Sequence, residues 1–179
     1  AVQGEAELGG RWFWNGQLYL NNLDDHRFVK FSAGASQQER IVLETHTGIS
    51  NTLTWRGGQT AIGQLSVMGG FDAEHQDNRS QRYNTASQVR QSQTRNQSFE
   101  FDTQGAFVQA AWQPLPALTL VPAYRIDSIH GSYTNQLNGI TYPVNAYGVI
   151  EQPKFSAIYA PGKAWSLYGN WGGSFQVGV

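Results

Sequence analysis

The sequence predicts an all-β fold: an antiparallel, up-and-down sheet of about seven strands that forms an incomplete wall of a larger transmembrane β-barrel. Three observations lead there. Apolar and polar residues alternate in segment after segment, the pattern of strands with two unlike faces. Short turns rich in glycine and proline alternate with long polar connections. Four of the six tryptophans stand at the short-turn ends of their segments.

Along the chain, Leu8-Gly9-Gly10-Arg11 reads as a tight turn, and residues 12–20 form the first outward strand. Residues 21–38 are a long loop, and 41–55 run back inward to the turn Arg56-Gly57-Gly58-Gln59. The third strand, 62–74, places Leu65 and Val67 on one face and Asp72 and Glu74 on the other. After the loop 78–102, the strand 103–112 descends to Gln113-Pro114-Leu115-Pro116. Residues 118–129 alternate most cleanly, with Leu118, Leu120, Tyr124 and Ile126 opposed to Thr119, Arg125 and Asp127. The loop 130–151 follows, then the strand 152–159, the turn Ala160-Pro161-Gly162-Lys163 and a seventh strand from Trp165 onward, which carries Asn170. Residues 175–179 end without the aromatic-ended strand that usually finishes such a barrel.

Trp12, Trp55, Trp112 and Trp165 all adjoin the short turns, the placement of an interfacial girdle, because an indole sits well among lipid headgroups. The opposite face is filled with Gln, Asn, Ser, Arg and Asp, which a wet or plugged lumen tolerates and a dry core does not. Asp72, Glu74, Gln109, Arg125, Asp127 and Asn170 are therefore read as lumen-facing. Seven strands whose first and last both run outward cannot close a barrel, since open edges in lipid leave backbone groups unpaired.

Composition agrees with this reading. Charged residues make up 14% of the 179 residues against about 25% in an ordinary soluble protein, aromatics 13%, and mean hydropathy is -0.45. A net charge of -1 leaves no electrostatic footprint for nucleic acid. The absence of cysteine excludes disulfide scaffolds and thiol chemistry, and fits an envelope protein. No nucleophile elbow, P-loop or dinucleotide fingerprint occurs, so no catalytic residue, cofactor or enzyme function is assigned. His26, His46, His75 and His130 are scattered without metal-ligand spacing, and no metal site is assigned.

The segment from Leu65-Ser66-Val67-Met68-Gly69-Gly70-Phe71-Asp72 to Asn78 resembles an outward strand of the TonB-dependent outer-membrane receptors. Three more segments are similar to that family in the same order: Ala106 to Pro114, ending in Trp112-Gln113-Pro114; Leu118-Thr119-Leu120 with Tyr124-Arg125-Ile126-Asp127; and Gln152 to Pro161 followed by Trp165 to Phe175. Residues 1–60 fit by pattern only. The resemblance implies that residues 1–179 are a segment of a receptor β-barrel of about twenty-two strands in the bacterial outer membrane. The plug domain and its TonB-contacting box are expected to be absent from the chain, so that the fragment alone is not competent for transport. Implied partners are outer-membrane lipid, the remainder of the barrel and plug, the TonB complex acting through that plug, and a small-molecule metal chelate such as a ferric siderophore.

Within the part of the loop 78–102 that runs from Asn78 to Asn96, Arg79, Arg82, Arg90 and Arg95 occur with no acid between Asp77 and Glu100. The resemblance implies that basic and aromatic side chains at the barrel mouth hold anionic chelates, to which arginine offers a planar fork of donors. Arg82 with Tyr83 is the first pair to test, and the competing role for this loop is a solvated one. Tyr133, Tyr142 and Tyr147 in the next long loop are candidates for ligand contact or for an upper aromatic girdle. Two other architectures compete. A soluble extracellular β-sandwich that binds carbohydrate would pack its apolar faces together; a small eight-stranded adhesin or channel would need a further strand over residues 1–9, where Glu5 and Glu7 interrupt the alternation.

Overall fold

The computed structural model describes residues 1–175. Among these residues nine strands make one antiparallel sheet: β1 Val2–Gly9, β2 Trp12–Val29, β3 Gln37–Thr60, β4 Gly63–Ala86, β5 Val89–Leu115, β6 Leu118–Asn135, β7 Ile140–Pro143, β8 Val149–Tyr159 and β9 Leu167–Gly172. Their order in space is β1-β2-β3-β4-β5-β6-β8-β9, with β7 paired to the upper part of β6. Among the described residues the sheet is open, with β1 and β9 at its two edges. Among the described residues no second layer covers either face, so the apolar faces do not meet as they would in a sandwich. Ile150 is the one buried apolar residue described, while residues as large as Trp14, Phe71 and Trp171 are exposed.

The strands exceed the seven expected, and they are longer. Residues 2–9 pair with β2 despite Glu5 and Glu7, because register sets those acids opposite Asn15 and Phe13 on the polar face, where charge is tolerated. The long polar stretches are largely strand as well. β4 and β5 continue upward to a two-residue turn at Ser87 and Gln88, both at positive φ, and β6 and β7 close a second, smaller hairpin. On β4 above the apolar band both faces are polar, so alternation disappears while the backbone ladder continues. At the lower end, Arg56-Gly57-Gly58-Gln59 proves to be a bulge within β3, with Gly58 at φ 70, and the chain turns instead at Ala61 and Ile62. Part of the chain end, residues 176–179, lies outside the described residues.

Residues directly opposite in an antiparallel ladder share a face, so the register traces the two faces across the whole sheet. One face carries Leu18 and Trp14 on β2, Leu53 and Ile49 on β3, Leu65, Val67 and Phe71 on β4, Val108 and Trp112 on β5, Leu120 and Ile126 on β6, Phe155 on β8 and Leu167 on β9. Asn51 is the polar exception, and the Trp14 indole N–H donates to its Oδ1 at 3.1 Å. On this face Trp12 is directly opposite Trp55 with ring centroids 6.4 Å apart, Trp112 lies one pair nearer the turns, and Trp165 packs edge-on against Tyr159 at 5.9 Å. The apolar stretch is about nine residues deep, as on β6 from Leu118 to Ile126, which is the length a transmembrane strand requires.

Candidate functional site

The other face is polar, and register divides it into levels. At mid-height, Asp72, Gly105, Asp127 and Ile150 lie side by side on β4, β5, β6 and β8, and Arg125 stands on the adjacent pair. The Arg125 guanidinium donates to both Asp72 oxygens at 2.8 and 2.9 Å and to Asp127 at 2.6 Å, while Gln152 donates to Asp127 at 2.5 Å. Gly105 makes room for this cluster, since a Cβ there would strike both Arg125 and Asp127. Nearby, Tyr19 donates to Glu74, which His46 approaches at 3.8 Å. Glu74, Gln109 and Asn170 share this face with Asp72, Arg125 and Asp127. One guanidinium against three carboxylates makes this level acidic.

The level above is cationic. Arg27 on β2 is directly opposite Arg40 on β3, Arg40 opposite Arg82 on β4, and Arg82 opposite Arg95 on β5. Four arginines thus form one row across four strands, about 4.8 Å from each to the next. Arg27 has Asp25 at 3.3 Å. Among the described residues no acid lies within ion-pair distance of Arg40, Arg82 or Arg95, and the Nε atoms of Arg40 and Arg82 are buried without a hydrogen-bond partner. Arg40 has the Phe31 ring beneath it at 4.7 Å and reaches Gln38 only at 3.5 Å. Burial, and then the charges of Arg40 and Arg95, press the Arg82 guanidinium below its ordinary affinity for protons. Guanidinium groups held at the strand spacing would repel by up to about 3 kcal/mol a pair at an effective dielectric near 20, and by less in salt.

Below Arg95, past Gln97, and extending sideways onto β6 and β7 on the same face, lies an aromatic patch. Phe99 is 4.9 Å from Tyr133, whose ring stacks on Tyr142 at 6.0 Å, and Gln97 donates to the Tyr133 hydroxyl at 2.7 Å. Tyr147 stands apart, edge-on to Phe175 at 5.0 Å.

The candidate residues from the loop 78–102 therefore separate. Arg82 and Arg95 share the polar face with Tyr133 and Tyr142. Tyr83, the partner chosen for Arg82, points to the opposite face. There Arg90 lies over its ring at 4.3 Å and grips Glu39 through Nε at 2.5 Å and Nη2 at 2.8 Å. His26 holds the same carboxylate at 2.5 Å, and Glu39 is 2% exposed. The Arg90 hydrogen bonds hold the Glu39 carboxyl below the usual carboxylate range, against the upward pull of burial and with help from His26. Arg79 also belongs to that face, 3.6 Å from Asp77. Sequence reasoning missed Arg27 and Arg40. Their signal was in the hairpin arithmetic: Arg27 stands fifteen residues beyond Trp12, and Arg40 fifteen before Trp55. Aligning the tryptophans as partners would have aligned the arginines. Among the described residues no group of three or more His, Asp or Glu is placed to hold a metal ion.

The family model described as TonB dependent receptor-like, beta-barrel, matches residues 1–178. The unliganded ferric citrate transporter FecA superposes with a TM-score of 0.86 at 15% identity, covering 97% of this chain and 26% of that one. A chain of the FpvAI–pyocin S2 complex gives a TM-score of 0.70 at 13% identity, covering 94% of this chain and 25% of that one. At such identities the likeness is one of fold, and the chain spans about a quarter of the length of the proteins it matches. A search of curated protein sequences finds no match.

Proposed function

The chain belongs to the TonB-dependent receptor-like β-barrel family, a family of the bacterial outer membrane, and from that premise we propose that residues 1–179 are a wall segment of a receptor that captures an anionic metal chelate, such as a ferric siderophore, for TonB-driven uptake. In this reading the apolar face meets lipid, the polar face lines the lumen, the short turns are periplasmic and the upper hairpins are extracellular. A plug domain and the remainder of the barrel, from outside these residues, complete the transporter and carry the pull of the TonB complex. The receptor binds and conducts without covalent chemistry.

The observation that carries the ligand's charge is the set of arginines without acids at the outer end of the polar face. A cationic surface above an acidic level would concentrate anions at the mouth, where arginine makes the charge-assisted bonds that carboxylate, catecholate or phosphate oxygens accept. One structural neighbour is a transporter of ferric citrate, itself an iron chelate. The test is equilibrium binding of a panel of ferric chelates to the receptor containing this chain, purified in detergent. Replacing Arg82 and Arg95 together by Gln should weaken capture of the anionic chelates about tenfold to a hundredfold, the worth of one to two charge-assisted hydrogen bonds, and leave barrel assembly intact. Unchanged affinity for every chelate bound by the unaltered receptor would refute the reading.

A further inference from the structure

We propose that the row Arg27-Arg40-Arg82-Arg95 is a reader of multivalent anions, selecting ligands with two or more separate anionic groups spread over about 10 Å, such as organic polycarboxylates and their chelates, over ligands with a single anionic group. This deepens the receptor reading above and rests on it. Three features of the row support it.

The first is the contrast among arginines. Arg27, Arg79, Arg90 and Arg125 each have a carboxylate within reach. The three above the turn end that lack one, Arg40, Arg82 and Arg95, are the three that stand side by side. Chance scatter would mix paired and unpaired groups; here the unpaired ones form a contiguous strip.

The second is unused donor capacity. Each guanidinium carries five N–H donors in a fixed fork, yet Nε of Arg40 and of Arg82 are buried with no acceptor. A buried donor without a partner is costly, and one anionic group placed between two neighbouring forks can accept from both guanidinium groups. A single carboxylate bridges one such gap. The strip Arg40-Arg82-Arg95 contains two gaps, and Arg27 adds a third that Asp25 partly fills. A ligand that relieves the whole strip therefore needs at least two anionic groups, one strand spacing apart or more.

The third is preorganisation. Like charges in a row would push the two upper hairpins apart, but the residue next to each of three arginines helps to tie those hairpins together on the reverse face. His26 beside Arg27 and Glu39 beside Arg40 bond each other, and Arg90, stacked on Tyr83 beside Arg82, bonds Glu39 twice. The row is thus held in register before a ligand arrives, which reduces the ordering cost of binding.

The experiment titrates the detergent-purified receptor with acetate, propane-1,2,3-tricarboxylate and benzenehexacarboxylate, alongside the ferric chelate panel. Affinity should rise at least about tenfold from acetate to each polycarboxylate. Arg40→Gln, Arg82→Gln and Arg95→Gln should each lower polycarboxylate affinity about tenfold while changing acetate by about twofold or less. Arg82→Lys, which keeps the charge and loses the fork, should recover only part of the loss. Heat-modifiable gel mobility identifies variants that fail to fold, and these are replaced by the Lys versions. Equal affinity for acetate and the polycarboxylates, or polycarboxylate binding indifferent to all three Gln variants, overturns the row as a multivalent reader. If anionic ferric chelates still bind in that case, the receptor reading survives alone; if neither chelates nor probes bind, both fall.

Discussion

Tyr19 shows how single residues on the polar face are set by what is missing opposite them. Its ring lies over Gly48, its direct partner on β3, and its hydroxyl reaches past that glycine to Glu74 on β4. A Cβ at position 48 would collide with the ring, so Gly48→Ala should dislodge Tyr19, lose the bond to Glu74 and cost about 1–3 kcal/mol, the usual penalty of overpacking. Urea unfolding of the reconstituted barrel measures this, with Gly34→Ala, where a Cβ meets open space, as the silent control. Equal midpoints for the two variants would show that the ring is not seated there. On the other face, above the apolar band, His75 Nδ1 is 2.8 Å from Asp102. That hydrogen bond raises the His75 pKa against the opposing pull of burial, and the charges of Asp102, Glu100 and Asp77 add to it. A raised folded-state pKa means that this contribution to stability is complete below the free imidazole value of about 6.5 and is lost as pH rises through the folded value. An NMR titration should find His75 above an ordinary histidine and Asp102→Asn should bring it back; a titration unmoved by Asp102→Asn would remove Asp102 as the cause.

At the scale of strands, facing decides tolerance. Val108 and Gln109 are neighbours on β5 with opposite faces. Val108→Arg, on the apolar face inside the band, should cost about 2–4 kcal/mol in a bilayer, whereas Gln109→Arg on the polar face should be accepted with little loss. The reverse order would mean that the register is slipped by one residue. The upper hairpin depends instead on Glu39. Because the Glu39 pKa is lowered, its tie to Arg90 and His26 is present above the free carboxyl value of about 4.3 and fails only as pH falls through a still lower folded value. Glu39→Gln should therefore speed amide exchange in residues 83–90 at neutral pH, as strong acid would in the unaltered protein; unchanged exchange would show that strand pairing alone suffices. How much was legible in the sequence follows the same division. Where one face is apolar and the other polar, as from Leu118 to Asp127, period-two alternation marks the strand. Where both faces are wet, as from Asn78 to Ala86, nothing in the residue pattern distinguishes a paired strand from a loop, and the short β7, ending at Pro143, gave no signal either. The arginine row escaped for a related reason, since Arg27, Arg40, Arg82 and Arg95 become neighbours only through three hairpin registers at once.

At the scale of the whole molecule, the upper edge of the apolar band is not level with the hydrogen-bonded rows. On β2 it reaches Leu20, on β3 and β4 it stops one pair lower at Ile49 and Ala73, on β5 and β6 another pair lower at Ala106 and Ile126, and on β8 a further pair lower at Pro153. The lower edge slopes the same way, from Trp12 and Trp55 through Trp112 to Tyr159. If the band lies level with a membrane, as the receptor reading proposes, it crosses the rows diagonally only where the strands are tilted. Three pairs are six residues, or about 20 Å along a strand, and five strand spacings are about 24 Å across, so the upper edge alone implies a tilt of about 40°. Barrel closure requires about 35–45°, a requirement that nothing in the local strand pattern knows of. On that reading the staggered lengths of the apolar stretches record the tilt. Polarised infrared dichroism of the reconstituted receptor should give a mean strand tilt in that range, and lipids brominated at a fixed depth should quench single-tryptophan variants that keep only Trp12, Trp55 or Trp112 to a similar extent. Strong quenching of Trp12 with none of Trp112 would mean that the membrane follows the hydrogen-bonded rows instead of crossing them, and the diagonal band would then be no record of tilt.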